Sequence, residues 1–501
     1  MGAWRTGRTG DEDPRIGQRR AARIGLVAGV ALALATRRLS RRGAAAAFVA
    51  AAAAAGLVRA NLTAVMSLLA RLVVQFPTFA KAFGFPIYAF VATQLRFTSF
   101  SLNTLAAAAP PVFQCNPMGV QNMVVVGGGN ALKEALSSPK TIHRRSMDFS
   151  QFGVHSILDS GDHPLHWKAL RKSLMPFFQN EMVKMAPVMA EMLREEARDW
   201  AETGPQDLFR SLIKFAVDFQ FKVLFDHTVQ ERREGCGLSF YEVCNLLTMD
   251  KFCPVRSTAW FREEVCAALV NAPAGTIGRH LMDLQADPDS ECTFQMAWDT
   301  ASVLALALTP GFSMFWTVVS LLEHPKDLAK ARASKLYLEQ CLKESLRLYA
   351  PVQLVFPRVA VADTTIGGQP VPKGSLIAPS INAAHRSNDN WGPSAERFDP
   401  TRWASLKPAA THPVSCSRGP RGEVFIPFNT GAHQCPGRFF IYPAMLGALE
   451  ALITEFEITV EDDRGLFSTG GMGRLALDAG GYFHPARDVL VRVCARGESK
   501  P

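Results

Sequence analysis

Apolar residues recur at helical spacing along most of this chain and alternate in a few short runs. From Leu165 to Leu193, "LHWKALRKSLMPFFQNEMVKMAPVMAEML" repeats them at three and four, and the interruption at Pro176 predicts two helices divided near that proline. Arg210 to Phe225 predicts another amphipathic helix, while Met123 to Val126, three glycines and "NALKEAL" predict strand, turn and helix. Between Gln230 and Ser290 the pattern is too weak to place a helix. Ala301 to Leu322 carries no charge over a length sufficient to cross a bilayer, but its mid-chain setting without basic flanks favours a helix through a globular core, locally distorted at Pro310. "LYLEQCLKESLRLYAP" puts Leu338, Cys341, Leu342, Ser345 and Leu346 on one face, with Glu344 and Arg347 one turn apart, and Pro351 stops it. Val352 to Ile381 then alternates in short runs around Gly367 and Gly368, the pattern of an antiparallel hairpin sheet. His385 to Trp403 is irregular; Arg438 to Phe456 predicts a long helix, and "DVLVRVCAR" a closing strand. The fold class expected is mainly α with small β-sheets (α+β), without internal repeats.

Composition adds bounds. With 501 residues and 48% hydrophobic content, the chain has enough apolar material for a large globular core. Its ten cysteines include no C-x-x-C pair, which argues against a zinc site or a disulfide scaffold and fits a reducing compartment. The formal charge of +9 is uneven, because no acid lies between Asp13 and Glu134 while arginines continue to appear. That asymmetry points to targeting or to a membrane.

Two apolar runs near the start, Ile24 to Ala35 and Ala44 to Val58, are split by Arg37, Arg38, Arg41 and Arg42. Each is shorter than the ~20 residues of an ordinary span. A short anchor held at an anionic membrane face, a cleaved organelle transit peptide and a frayed alanine-rich tail all remain open. Residues 1–60 are expected to form a membrane-anchor or targeting segment, and the patches "LLARLVVQF" and "FGFPIYAF" would suit a surface lying on lipid.

The chemistry concentrates in "VFIPFNTGAHQCPGRFF", where Phe428, Gly431, Cys435 and Gly437 make F-x-x-G-x-x-x-C-x-G. Glycines permit a tight loop with inward N–H groups, Phe428 can screen the sulfur, and Pro436 suits the first turn of the following helix, whose positive end favours a thiolate. A lone cysteine beside a turn is more often structural. Here, however, the motif resembles the cysteine loop of the cytochrome P450 superfamily of heme-thiolate enzymes, and that family's other parts follow in order over roughly residues 115 to 495. The resemblance implies a single large heme domain, 61–501, behind an N-terminal hydrophobic segment. It implies Cys435 as the ligand of heme iron, in heme b (iron protoporphyrin IX). It also implies Glu344, Arg347 and Arg402 as a structural cluster, Trp167, Arg171, Arg358 and His433 as partners of the heme propionates, and Phe428, Gly431 and Gly437 as the loop around the cofactor. His433 stands where arginine is more usual.

Departures from the family pattern lie in the heme-crossing helix. Counting back from His324 and Pro325 places Thr309 on the catalytic threonine, but Leu308 occupies the acid position, Leu306 the usual glycine, and Pro310 follows. Leucine cannot relay a proton. "CPGR" and the ending "LALDAGGYFHPARDVLVRV" are similar to the group of sterol and bile-acid hydroxylases and prostacyclin synthase, which contains both oxygen insertion and peroxide rearrangement. The expected function is a membrane-associated monooxygenase, most naturally of the endoplasmic reticulum with a plastid or mitochondrial membrane as the alternative. It would oxidise a sterol- or fatty-acid-like lipophilic substrate with electrons from NADPH through NADPH-cytochrome P450 reductase. Its expected partners are that reductase, the substrate and membrane lipids, with no nucleic acid. The alternatives are a heme-thiolate isomerase or dehydratase acting on lipid hydroperoxides or endoperoxides without a reductase, and a heme protein without turnover.

Overall fold

The computed structural model describes residues 112–115, 123–143, 164–229, 239–249, 255–352, 358–405, 419, 423–430, 434–469, 474–477 and 483–497. The expectations for the first hundred residues, Gly431 and His433 lie outside them.

The body is helical with small sheets. Strands β1 (Val112–Cys115), β2 (Met123–Val126), β3 (Thr141–His143), β5 (Arg358–Ala360) and β8 (Leu376–Pro379) form one sheet in the order β1-β2-β8-β5-β3. Only the β2–β8 pair is parallel. Helix α1 (Gly129–Ser137) follows β2 as the glycine turn predicts and buries Ala131, Leu132, Ala135 and Leu136. The hairpin read around Gly367 and Gly368 is present: β6 (Thr364–Ile366) pairs β7 (Gln369–Val371). Both glycines take positive φ, 55° and 77°, as a two-residue turn matching the strand twist requires. Two further small sheets close the carboxyl end. One joins β4 (Gln206–Asp207), β12 (Leu490–Ala495) and β9 (Phe456–Asp462), and the other pairs β10 (Leu475–Leu477) with β11 (Phe483–Pro485).

Helix α2 (Pro164–Asn180) departs from the expected division, since it runs straight through Pro176. Pro176 and Lys172, whose carbonyl the proline leaves without its helical donor, are both exposed, so water meets that carbonyl. The buried stripe Trp167, Leu170, Leu174 and Phe178 continues unbroken past it. The real division comes after Asn180, where a 3₁₀ turn (Met182–Met185) leads to α3 (Ala186–Thr203) with Pro187 in its first turn.

At the centre lie α4 (Leu208–Phe225), capped by Asp207 accepting from the Phe209 and Arg210 amides, and the apolar stretch opposite it. The weakly patterned interval resolves into α5 (Phe240–Met249), α6 (Val255–Val270) and α7 (Ile277–Ala286). The stretch read as one distorted helix is two, α8 (Phe294–Ala305) and α9 (Thr309–Glu323). Within Phe294–Glu323 the most apolar window has a mean hydropathy of 1.6, but 78% of that window is buried in protein, which supports the core reading. Gly311 explains how closely α9 approaches α4: a Cβ there would stand 2.8 Å from the Leu212 carbonyl oxygen. Helices α10 (Pro325–Ala333) and α11 (Lys335–Leu348) continue the chain; the expected inner face of α11 is buried throughout. Two short helices, α12 (Ile381–Arg386) and α13 (Asn388–Trp391), and a 3₁₀ turn (Pro400–Trp403) lead toward the cysteine loop and α14 (Arg438–Glu455).

Candidate functional site

Cys435 stands three residues before α14, after a loop whose ends are tied by the Cys435 amide donating to the Phe428 carbonyl at 2.9 Å. The loop turns sharply because the Asn429 amide donates to the Ile426 carbonyl at 3.0 Å and Asn429 takes a positive φ of 61°. Pro436 does not sit in the first helical turn as expected. It occupies a separate turn, and Gly437 is the helix N-cap with φ −71° and ψ −9°. A Cβ at Gly437 would stand 3.3 Å from the Phe440 ring and 3.9 Å from the Cys435 sulfur, so the glycine leaves the sulfur's side of the loop open.

Opposing influences meet at that sulfur. Burial pushes the Cys435 thiol upward, against the Gly437 and Arg438 amides that donate to it and the Arg438 and Arg171 guanidinium charges that favour the anion. The two amides and two guanidinium groups favour the anionic form of the sulfur, against its burial. Arg171 and Trp167 reach the loop from α2. Arg171 donates to the Gln434 carbonyl and its guanidinium lies 5.6 Å from the Trp167 ring centroid. Burial lowers the Arg171 pKa, and the Cys435 charge offsets part of this.

Arg358 lies on β5, 6% exposed, donating from Nη1 to the Thr141 carbonyl at 3.2 Å while its Nε has no hydrogen-bond partner among the described residues. A buried guanidinium with an unpartnered Nε and no carboxylate partner among the described residues fits an anionic ligand group.

The structure brings Glu344, Arg347 and Arg402 together. Arg347, fully buried, donates from Nε and Nη2 to the two Glu344 carboxylate oxygens at 2.9 and 2.8 Å, and to the carbonyls of His385 (2.7 Å), Ala395 (2.6 Å) and Arg397 (3.1 Å). Glu344 also accepts from the Asp399 amide, Arg402 Nε and the Trp403 indole at 3.0, 3.3 and 2.9 Å. Arg402 fixes the outer loop through Ser394 and the Trp391 carbonyl.

Thr309 opens α9 just past a break at 306–308. Pro310 has no N–H for the Leu306 carbonyl, which takes the Leu308 amide at 2.8 Å instead; the Gly311 amide turns to the Leu308 carbonyl at 3.0 Å. The Ala307 carbonyl, thereby freed, accepts from Gln220 Nε2 at 2.8 Å. Leu308 is fully buried and Thr309 half-buried.

Sequence reading missed Gln220, His385, Asn390 and Trp403. The last three lie in or beside the segment read as irregular, where only a polar run before a tryptophan hinted at buried hydrogen bonding.

The family model described as Cytochrome P450 matches residues 323–483. Cytochrome P450 4B1 of Rattus norvegicus is 33% identical over 138 residues, 28% of this chain and 24% of that protein. Sterol 14alpha-demethylase of Mycolicibacterium vanbaalenii is 24% identical over 307 residues, 53% of this chain and 66% of that protein. The chain thus spans about a quarter of the first relative and just under two thirds of the second. A solved structure, the heme domain of cytochrome P450DA, superposes with a TM-score of 0.65 at 18% identity, covering 79% of this chain and 93% of that one.

Proposed function

We propose, from the match of residues 323–483 to the Cytochrome P450 family model, that the chain is a heme-thiolate monooxygenase of that superfamily, with Cys435 binding the iron. The observation that carries this reading is the Cys435 sulfur faced by the Gly437 and Arg438 amides beside two guanidinium groups. Arg358, with its unpartnered Nε, and Arg171 with Trp167 and His433 would hold the propionates; Phe428, Gly431 and Gly437 would shape the loop. Bound there, heme supplies the site at which dioxygen is reduced by two electrons, one oxygen entering a C–H bond and the other leaving as water with two protons.

Within this chain, Thr309 is the group for the proton side of that reaction. Its hydroxyl can hold a water at Oγ1 and pass a proton through it, while Leu308 presents no ionisable group. The substrate would be lipophilic, sterol- or fatty-acid-like, and the sterol demethylase relative supports the sterol-like choice. NADPH-cytochrome P450 reductase is the expected electron donor, residues 61–501 the heme domain, and residues 1–60 the anchor or targeting segment of an enzyme resident at a membrane such as the endoplasmic reticulum.

A second reading has one observation in its favour, the buried Leu308 in the acid position. It is rearrangement of a lipid hydroperoxide or endoperoxide, which needs neither external protons nor a reductase. The test gives purified protein lipophilic substrates with NADPH and reductase, and separately gives hydroperoxides without them. Monooxygenation predicts product in the first case only, with a roughly tenfold to hundredfold loss in Thr309→Val; product in the second case alone would reverse the assignment.

A further inference from the structure

Glu423 to Ile426 carries the chain into the cysteine loop as a buried segment that belongs to no helix or sheet among the described residues. A backbone buried outside helix and sheet must find donors and acceptors elsewhere. Two side chains supply them. The Val424 amide donates to Asn390 Oδ1 at 3.1 Å, and Asn390 Nδ2 donates back to the Val424 carbonyl at 3.3 Å and to the Ala384 carbonyl at 2.8 Å. Two residues on, the Ile426 amide donates to His385 Nε2 at 2.9 Å. The His385 ring also stacks on Phe425, with centroids 5.4 Å apart.

For Nε2 to accept, the imidazole must be neutral and carry its proton on Nδ1. Among the described residues Nδ1 has no partner, so the ring orientation is set by Ile426 and Phe425 alone. Burial, with the Arg347 and Arg386 charges, holds the ring neutral and takes its pKa down to about 3. The backbone of the same residue receives Arg347 Nη1 at 2.7 Å. On the far side, Ile426 accepts from Asn429 within the turn, and the Phe428 carbonyl accepts the Cys435 amide. Hydrogen bonds thus link Glu344 to Arg347, Arg347 to His385 and His385 to Ile426, and the peptide chain continues from Ile426 to Phe428, whose carbonyl accepts the Cys435 amide.

We propose that His385 is a positioning residue for Cys435, its Nε2 fixing the Ile426 peptide and thereby the loop that presents the sulfur, with Asn390 as the second half of the clamp. This deepens the proposed reading of Cys435 as the iron ligand and rests on it. The clamp gives the loop entry the fixed register that a strand partner would give, using side chains anchored on two short helices.

The test uses the full-length, heme-loaded protein, His385→Phe, which keeps the stack and loses the acceptor, and His385→Gln, which can return an acceptor oxygen. In His385→Phe the Ile426 amide should exchange about ten- to a hundredfold faster than in wild type. The reduced carbon monoxide complex should shift from the thiolate-type band toward the thiol-type band, and Gln should restore most of both. A Phe variant with wild-type exchange and a wild-type band would overturn the positioning role while leaving the heme reading intact. Wild-type protein that takes up no heme would overturn the reading beneath it. Should the Phe variant fail to fold, nitrogen NMR of wild type decides: an unprotonated His385 Nε2 coupled to the Ile426 amide is expected, and a protonated Nε2 would overturn the clamp.

Discussion

Replacing Arg347 by lysine keeps a positive charge at the centre of the molecule and removes only the planar fork, so it isolates what the geometry of that side chain contributes. The guanidinium makes five hydrogen bonds, two to the Glu344 carboxylate and three to the carbonyls of His385, Ala395 and Arg397, with no exposure to water. An ammonium group has three donors. Even if ideally placed, it makes two fewer hydrogen bonds to these acceptors than the guanidinium does, at about 1–3 kcal/mol each. Arg347→Lys should therefore lose about 2–6 kcal/mol of folding free energy, a large share of the total stability of an ordinary domain. The assay is denaturant unfolding of wild type and variant under identical conditions, followed by tryptophan fluorescence and by far-UV circular dichroism, with coincident transitions required before free energies are compared. A loss below about 1 kcal/mol would refute the reasoning, because it would mean that those carbonyls find water or shift at little cost.

Acid stability should depend on His385. Its ordinary pKa of 6.5 is depressed to about 3 by burial first and then by the neighbouring arginines, so below about pH 6.5 the unfolded chain takes up a proton that the native one refuses. The contribution is complete above pH 6.5 and fades as pH falls toward 3, by about 1.4 kcal/mol per unit. Wild type should thus lose roughly 2 kcal/mol more than His385→Gln between pH 6.5 and 5, and parallel pH profiles would contradict this. Gly311→Ala would bring a methyl group to 2.8 Å from the Leu212 carbonyl oxygen and 3.1 Å from both Ala216 Cβ and Ile213 Cδ1. It should cost about 1–3 kcal/mol, read as a lower melting temperature, and an unchanged melting temperature would show that α4 and α9 separate freely. Pro436→Ala adds a backbone N–H next to the sulfur, which already receives the Gly437 and Arg438 amides. Spectroelectrochemistry of the heme-loaded protein should show a potential raised by up to about 40 mV, the equivalent of one ordinary hydrogen bond; an unchanged potential would mean that the new donor does not reach the sulfur.

The elements legible in the sequence were those whose information is local. The alternation around Gly367 and Gly368 needs two positive φ angles, and only glycine offers them cheaply in succession. The inner face of α11 follows from spacing alone. Pro176 misled because a proline interrupts a helix only when the carbonyl it frees has nowhere to go, and exposure of that turn is a tertiary fact. Pro310 was legible as a distortion, but the complete break also depends on Gln220, nearly ninety residues earlier, receiving the Ala307 carbonyl. Likewise Cys435 and its glycines declare themselves by spacing, whereas His385 and Asn390 carry no motif beyond a polar stretch. Their roles arise from contacts across thirty to forty residues, where periodicity has nothing to say.

The reduced carbon monoxide spectrum of the heme-loaded protein, set beside that of Cys435→Ser, addresses the sulfur itself. Wild type should take up heme and show the long-wavelength Soret band of a thiolate ligand, and the serine variant should lose that band. Identical spectra from the two proteins, or a wild type that binds no heme, would contradict the assignment of Cys435 and the function built on it.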